Sequence, residues 1–305
     1  MPGSAPGTLG PVIDSVDVVQ VPRRGLRMPN PRANPETNPR ANPETNPETG
    51  GEFERLAAVA QLAEESGFDS LWVSDDAGRV RDEQGRSDTV FEAYSLLGAL
   101  AARTTRVGLG VFPLGPTVRS PSMVAKIITG VDVISHGRGI LALGVGRNRD
   151  QDSIDRLSEE LQICRQLLTE EAPSFDGRFY RLSQAVNRPR PVRAGGIPLV
   201  VVADDPVAAD PVARWADAVV VGGKPANVEA MVSGLDQRCR AVGRARDAVG
   251  VIWSGEIDGG PDRLADQVQA IAEIGVAGCV VSIADSYDRD TIRATGEALS
   301  GMTFE

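Results

Sequence analysis

Histidine is almost missing from this sequence: His136 is the one imidazole among 305 residues. The three cysteines (Cys164, Cys239 and Cys279) are far apart and lack the short spacings that zinc sites use. We therefore predict no metal site, and we interpret the cysteines as buried or incidental thiols.

Long apolar runs are missing as well. No stretch of about 18 apolar residues occurs, so we expect no membrane-spanning helix. The N-terminus, MPGSAPGTLG, lacks the charged and then apolar layout of a signal peptide, which predicts a cytoplasmic protein. A net charge of −10 argues against nucleic acid or an anionic membrane as a partner.

A proline-rich repeat follows the N-terminal segment. Residues 30–49 read NPRANPETNPRANPETNPET, with proline at every fourth position. Proline lacks a backbone donor and restricts the residue before it, so this segment predicts neither regular helix nor sheet. We interpret residues 28–51 as a low-complexity, disordered insertion after the first strand. A lid over the site or a partner-binding segment is the alternative.

Outside the repeat, apolar runs of strand length alternate with amphipathic segments of helix length. The predicted strands are 13–21, 70–74, 106–112, 139–146, 197–203, 217–223, 248–256 and 277–283. The predicted helices are 52–67, 88–103, 120–134, 153–169, one after Pro206, 225–243, 261–274 and 289–300. Eight strand–helix units favour a single (β/α)8 TIM barrel over residues 1–305, with a short hairpin at 174–183. A doubly wound α/β sheet is the alternative, but no G-x-G-x-x-G motif opens a helix after the first strand.

Functional groups of such a barrel lie at the C-terminal ends of its strands. The stretch FDSLWVSDDAG, residues 68–78, ends the second strand with Asp75 and Asp76, which are the candidate catalytic residues. Successive strand residues point to opposite faces, which weakens the idea that the two carboxylates act as a pair. His136 precedes the fourth strand, on the opposite face, so we expect no histidine acid–base chemistry from this chain.

Several motifs together resemble one known family. FDSLWVSDD, LGVFPLGPTVRSPSMVAK, DVISHGRGILALGVGR and ADAVVVGGKP are similar to segments of the luciferase-like oxidoreductases, the bacterial luciferase superfamily. The similarity covers roughly residues 52–300. It implies a TIM barrel, coenzyme F420 (a deazaflavin) as cofactor with FMN as the alternative, and a homodimer.

The resemblance also implies cofactor-binding residues. It implies a cis peptide at Phe112–Pro113 behind the cofactor ring, with an ordinary trans proline as the alternative. The other implied positions follow the fourth, fifth and sixth strands: Gly146, Arg147, Asn148, Ala203, Gly222, Gly223 and Lys224. Glycine-rich turns with solvated cations are the alternative interpretation of these motifs. Trp253 is a candidate for the substrate pocket, or else for core packing.

The chain departs from the family pattern at two strand ends. Asp76 stands where the deazaflavin branch has a histidine, so a carboxylate with a raised pKa would have to replace that group. Asp204 and Asp205 stand where relatives have glycines that meet a phosphate. Capping of the next helix by Asp205 is the plain alternative, with Pro206 at the first helical position.

Three functions follow from this combination. The first is an F420-dependent oxidoreductase that transfers hydride to or from a small organic substrate. The second is an FMN-dependent monooxygenase of the same family. The third is a non-catalytic barrel that has lost its cofactor and acts as a binding or subunit-partner protein.

Overall fold

The structure is a computed structural model, and eight parallel strands in it close into a barrel. It describes residues 22–28, 49–75, 91–113, 119–145, 150–193, 195–204, 206–257, 261–283 and 288–304. The barrel strands are β1 Arg24–Arg27, β2 Ser70–Asp75, β3 Gly108–Pro113, β4 Gly139–Gly144, β7 Leu199–Val202, β8 Ala218–Gly222, β9 Gly250–Ile257 and β10 Gly278–Ile283. Around the barrel the strands lie in the order β1-β10-β9-β8-β7-β4-β3-β2. The predicted (β/α)8 barrel is confirmed.

Helices alternate with these strands and surround the barrel. They are α1 Thr49–Glu65, α2 Ala93–Ala101, α3 Pro121–Ile134, α4 Gln151–Thr169, α5 Ala209–Trp215, α6 Pro225–Val242, α7 Pro261–Ala272 and α8 Arg289–Ser300. The predicted hairpin is present as the antiparallel pair β5 Phe175–Asp176 and β6 Arg181–Leu182. None of the helices in the described residues is long and apolar enough to cross a membrane.

The first strand lies later in the chain than the apolar pattern indicated. The expected strand at 13–21 falls outside the described residues, and Arg24–Arg27 is the segment that pairs with β2 and β10. Met28 follows it and is buried, donating its backbone N–H to the Trp72 carbonyl at 2.8 Å. At the other end of the expected insertion, Thr49 begins α1. Residues 29–48, which contain all of the repeat except Thr49, lie outside the described part of the chain.

Strand alternation divides the core into two layers. One set of strand residues packs against the helices, and the other fills the barrel interior. The interior set is Trp72, Phe112, Ile140, Ala142, Val200, Ala218, Val220, Ile252 and Val280. Trp72 is its largest member and has no exposed surface. Its indole N–H donates to Ser70 Oγ at 3.1 Å, so the polar atom of this buried ring is satisfied.

Two glycines leave room for the Trp72 ring. A Cβ placed on Gly25 would lie 2.7 Å from Trp72 Nε1, and one on Gly110 would lie 2.9 Å from Trp72 Cε3. Both distances are shorter than van der Waals contact. Glycine is therefore required at these positions by packing on the indole.

The N-terminal face of the barrel contains the single histidine. His136 is exposed in the turn between α3 and β4, as expected, with a left-handed φ of 59°. Beside it, the Arg138 guanidinium donates to the backbone carbonyls of Ala101, Thr104 and Val107, which joins the α2–β3 turn to the α3–β4 turn. The three cysteines are free and buried, and no cluster of potential metal ligands occurs among the described residues.

A glycine exchange will test the packing on Trp72. Gly25→Ala is expected to lower the free energy of unfolding by about 1–3 kcal/mol, because the added methyl overlaps the indole. Gly130→Ala in α3 is the control, since a Cβ there meets nothing within 4 Å. The control should stabilise by about 0.5–1 kcal/mol through helix propensity. Urea unfolding measures both changes, and equal effects would contradict the assigned role of Gly25.

Candidate active site

The C-terminal ends of the strands carry a ring of mostly small residues that we call the barrel mouth. It consists of the positions two residues beyond the interior layer on each strand, which alternation directs inward. These positions are Arg27, Ser74, Gly144, Val202, Gly222, Ser254 and Ser282. Phe112, which pairs in register with Ser74, is 6% exposed. Glycine and serine at five of the positions leave space above the Trp72–Phe112 layer.

Arg27 is the cation of the barrel mouth, and sequence reasoning missed it. Its guanidinium carbon lies 4.6 Å from the centroid of the Phe112 ring, and its Nε donates to Ser74 Oγ at 3.0 Å. The pattern Gly-Leu-Arg-Met would have revealed an inward arginine if the first strand had been placed at 24–27. Because the strand was expected at 13–21, Arg27 fell outside every predicted strand.

Phe112 lies in the barrel interior, and the peptide bond after it is not the cis bond that the resemblance implies. Its ring meets Trp72 edge to face, with centroids 6.4 Å apart and planes at 81°. Among the described residues the cis X–Pro bond is Arg188–Pro189, and Phe112–Pro113 is trans. The expectation of a cis bond was wrong. Phe112 and Pro113 pair in register with Ser74 and Asp75 of β2, so β3 continues as a regular strand through both residues.

Asp75 faces the helical layer and not the barrel interior. Its Oδ2 accepts a hydrogen bond from Arg119 Nη1 at 2.7 Å, and the two side chains are 15% and 17% exposed. The other terminal nitrogen of Arg119 donates to Glu92 at 2.6 Å, and the guanidinium lies 4.9 Å from the Tyr94 ring centroid. This position contradicts a catalytic role for Asp75. Asp76, the other candidate, lies outside the described residues.

Glu92 connects this ion pair to the start of α2. It is the N-cap residue, and its carboxylate accepts from the backbone N–H groups of Tyr94 and Ser95 and from the Ser95 hydroxyl. Burial raises the pKa of Glu92, but the hydrogen bonds from Ser95 and Tyr94 and the charge of Arg119 outweigh it and lower that pKa. Burial, and then the Asp75 charge, raise the pKa of the Tyr94 phenol, which therefore stays protonated. Arg119 thus holds together the end of β2 and the beginnings of α2 and α3.

The Gly222–Gly223 turn ends β8 and is held by Trp253. The Trp253 indole N–H donates to the Gly223 carbonyl at 3.0 Å, and Gly223 adopts a left-handed φ of 90°. Trp253 belongs to the layer between strands and helices, so the expectation that it lines the substrate pocket was wrong and the packing alternative holds. Lys224 is exposed as the N-cap residue of α6, without a side-chain capping bond.

The end of β7 places a carboxylate beside that turn. Asp204 is exposed, and its Oδ1 lies 2.9 Å from where a Cβ of Gly222 would be. Ala203, an expected cofactor contact, is buried in the helix-facing layer and donates its N–H to the Val220 carbonyl. The next segment is a 3-10 turn at Pro206–Ala208, and α5 then begins without a side-chain cap. Asp205, Gly146, Arg147 and Asn148 lie outside the described residues.

The barrel mouth fits one half of a flavin-like molecule better than the other. The Phe112 edge, the Arg27 cation and the small residues opposite them suit a flat ring with polar edges. The corner between β7 and β8 suits a phosphate poorly, because the Asp204 carboxylate lies against Gly222. A ring-binding role is therefore compatible with these residues, and phosphate binding at this corner is opposed by charge.

Comparison with known proteins shows which family this sequence resembles. The sequence pattern of the luciferase-like monooxygenase family matches residues 37–272. A 5,10-methylenetetrahydromethanopterin reductase of Archaeoglobus fulgidus is 26% identical over 262 residues, covering 82% of this chain and 75% of the relative. An F420-dependent glucose-6-phosphate dehydrogenase of Kineococcus radiotolerans is 30% identical over 210 residues, covering 64% of this chain. The match spans only 61% of that dehydrogenase.

A solved structure supports the same fold. The coenzyme F420 dependent tetrahydromethanopterin reductase from Methanopyrus kandleri superposes with a TM-score of 0.68 at 16% identity. The alignment covers 92% of this chain and 98% of the reductase. At this identity the likeness concerns the architecture alone.

A double-mutant cycle will test the role assigned to Asp75. Asp75→Asn is expected to lower the free energy of unfolding by about 1–2 kcal/mol, because a half-buried guanidinium loses a charged acceptor. Combined with Arg119→Met, the loss should be clearly less than additive. Asp150→Asn is the control, since asparagine caps a helix as well as aspartate does. Additive losses in urea unfolding would show that the pair does not act together.

Proposed function

Because the chain belongs to the luciferase-like monooxygenase family, we propose that it is an F420-dependent oxidoreductase which transfers hydride to or from a small organic substrate. The observation that carries this proposal is the similarity to a dehydrogenase named as F420-dependent, at 30% identity over 210 residues. The ring-compatible barrel mouth supports it independently.

The chain's own residues would bind and orient the reactants. A bound deazaflavin supplies the hydride chemistry, and the protein places ring and substrate face to face and excludes water. The cofactor ring would contact Phe112, Arg27 and Ser74 on one side of the barrel mouth. The Gly222–Gly223 turn would lie on the opposite side. Asp76, which directly follows β2, is proposed as the proton donor or polar contact to substrate in place of the histidine that the chain lacks.

An FMN-dependent monooxygenase is the second candidate, and the family's own description favours it. It would require the site to accept the dianionic phosphate monoester of FMN near Asp204, where F420 would place a singly charged phosphodiester. A barrel without cofactor is the third outcome, and it predicts that neither coenzyme binds.

Cofactor titration will separate these functions. We expect purified protein to quench F420 fluorescence at micromolar concentrations and to bind FMN more weakly by about tenfold or more. Tighter binding of FMN than of F420 would favour the monooxygenase. Absence of binding by both would sink the enzyme proposal and leave the non-catalytic barrel.

Charge removal at the β7–β8 corner extends the same experiment. Asp204→Asn is expected to tighten FMN binding by about threefold to tenfold, because it removes a like charge near the phosphate. Riboflavin, which lacks the phosphate, should show no gain. Asp176→Asn is the control, since Asp176 is highly exposed on the hairpin. An equal gain for both ligands would assign the effect to something other than charge.

We also propose that the chain forms a homodimer through α3. Met123 and Ile134 are 52% and 53% exposed on this helix, and Val186 and Val192 on the neighbouring segment are 59% and 55% exposed. Lys126 donates to the Arg188 carbonyl, which keeps that segment beside α3. Exposed apolar residues are ordinary when single, but a grouped set is typical of an interface.

Light scattering will test the homodimer. Wild-type protein is expected to elute with twice the chain mass at micromolar concentration, and Ile134→Glu to elute as a monomer with unchanged circular dichroism. Val207→Glu is the control, because Val207 is apolar and 39% exposed but lies after β7. A monomeric wild type would contradict the proposal.

A further inference from the structure

The last residues of β9 direct two polar side chains into the barrel mouth. Ile252 belongs to the interior layer, so alternation turns Ser254 and then Glu256 inward. Gly255 confirms this direction, because a Cβ on it would overlap the Trp253 indole, which lies in the layer between strands and helices. The end of β9 therefore presents a hydroxyl and a carboxylate to the mouth.

The neighbouring strand adds a second hydroxyl. Ser282 on β10 pairs in register with Glu256, and Ser254 pairs with Val280, one step deeper in the barrel. Backbones of paired strands lie about 4.8 Å apart, and residues two apart on one strand are about 6.6 Å apart. The side chains of Ser254, Glu256 and Ser282 thus form one triangle, which we call the β9–β10 acceptor group.

The polar atoms of this group have no partners within the described part of the chain. Glu256 is exposed and makes no hydrogen bond or ion pair there, and the Ser282 hydroxyl makes no hydrogen bond there. Ser254 is only 8% exposed, and its hydroxyl also lacks a hydrogen bond to any described residue. A buried hydroxyl without a partner costs free energy and requires an explanation. A ligand in the barrel mouth would supply the missing partner.

The backbone that carries Ser254 is held in place by the neighbouring turn. The Ser254 carbonyl accepts a hydrogen bond from the Gly223 N–H at 3.4 Å, and the Trp253 indole N–H donates to the Gly223 carbonyl at 3.0 Å. These two bonds join the end of β9 to the end of β8. Because the groups are ordered in advance, less entropy is lost when they bind a ligand.

The charges on this side of the barrel mouth favour a cation. Glu256 is negative, and Asp204 adds a second carboxylate at the β7–β8 corner. Arg27 is paired with Ser282, but its guanidinium is turned away from β10, toward β2 and β3. Lys224, which follows the Gly222–Gly223 turn, is exposed and forms no ion pair with Glu256. A positively charged group is therefore attracted to the β9–β10 side.

We propose that the β9–β10 acceptor group binds a primary ammonium group of the substrate. A primary ammonium has three N–H donors, and one carboxylate with two hydroxyls offers an acceptor to each of them. The bond to Glu256 is charge-assisted, and the two serine hydroxyls accept the remaining bonds. This inference rests on the proposed function in that it places the substrate at the barrel mouth, and it uses none of the side chains assigned to the cofactor ring. It adds a substrate class, an amine.

Binding of a matched amine and alcohol will test this assignment. Benzylamine is a cation at neutral pH, whereas benzyl alcohol has nearly the same shape and no charge. Ligand-observed NMR titration of the full chain at pH 7 is expected to show benzylamine binding about tenfold tighter, the contribution of one charge-assisted contact. Glu256→Gln should abolish that preference. Glu273→Gln is the matched control, since Glu273 is exposed after α7 at the opposite end of the barrel.

Ser254→Ala will separate a ligand-binding role from a structural one. We expect it to weaken benzylamine binding by about threefold and to leave the free energy of unfolding unchanged or slightly raised, because the hydroxyl has no described partner to lose. Urea unfolding measures the second quantity. A clear loss of stability would assign the hydroxyl to the fold and overturn its place in the acceptor group.

The other outcomes are distinct. A wild type that binds neither compound, or that binds benzyl alcohol as tightly as benzylamine, overturns the proposal, as does a Glu256→Gln variant that keeps the preference. Glu256→Asp retains the charge on a shorter side chain and should keep part of the preference, which guards against a folding defect in the glutamine variant. F420 fluorescence titration of the wild type runs beside these assays. Binding of F420 without benzylamine sinks the ammonium site alone, and a benzylamine preference that depends on Glu256 without F420 binding sinks the proposed function alone.

Discussion

The Trp72 indole is the constraint on which the rest of the barrel depends. It fills the interior and has no exposed surface. The glycines on the two neighbouring strands, Gly25 and Gly110, leave room for the ring because they have no side chain. The ring and Phe112 together close the barrel below the mouth. Because this layer is solid, a ligand entering from the C-terminal face stops above it, next to Arg27 and the small residues. The depth of the candidate site is thus set by packing in the core.

Periodicity predicted the barrel, because every strand after the first has a continuous apolar run and each is followed by an amphipathic helix. The helix at 289–300 was predicted to the residue. The first strand was missed for a physical reason: Arg24–Arg27 has two arginines in four residues, and only its partners make it a strand. An inward arginine at the open end of a barrel breaks the apolar pattern that identifies strands.

The site was harder to predict than the fold, since local sequence does not say which partner a side chain finds. Asp75 is next to Asp76 in the sequence, yet its charge is neutralised by Arg119, which lies 44 residues later. Trp253 follows an inward residue on β9, so alternation alone would have directed it to the helical layer. Asp204 was expected to oppose a phosphate. The structure places its carboxylate beside Gly222, and whether it opposes a phosphate there stays a prediction.

Arg119 has a consequence for how this protein tolerates change. The segment 76–91 leaves from Asp75 and returns at Glu92, and the segment 114–118 returns at Arg119 itself, so one guanidinium joins the base of both connections. When the ends of a connection are already held together, the entropy cost of lengthening it grows only slowly with its length. Segments next to the barrel mouth could then diverge in length and composition while the barrel stays folded. New substrate specificities could then evolve on this barrel through changes in the length and composition of these segments.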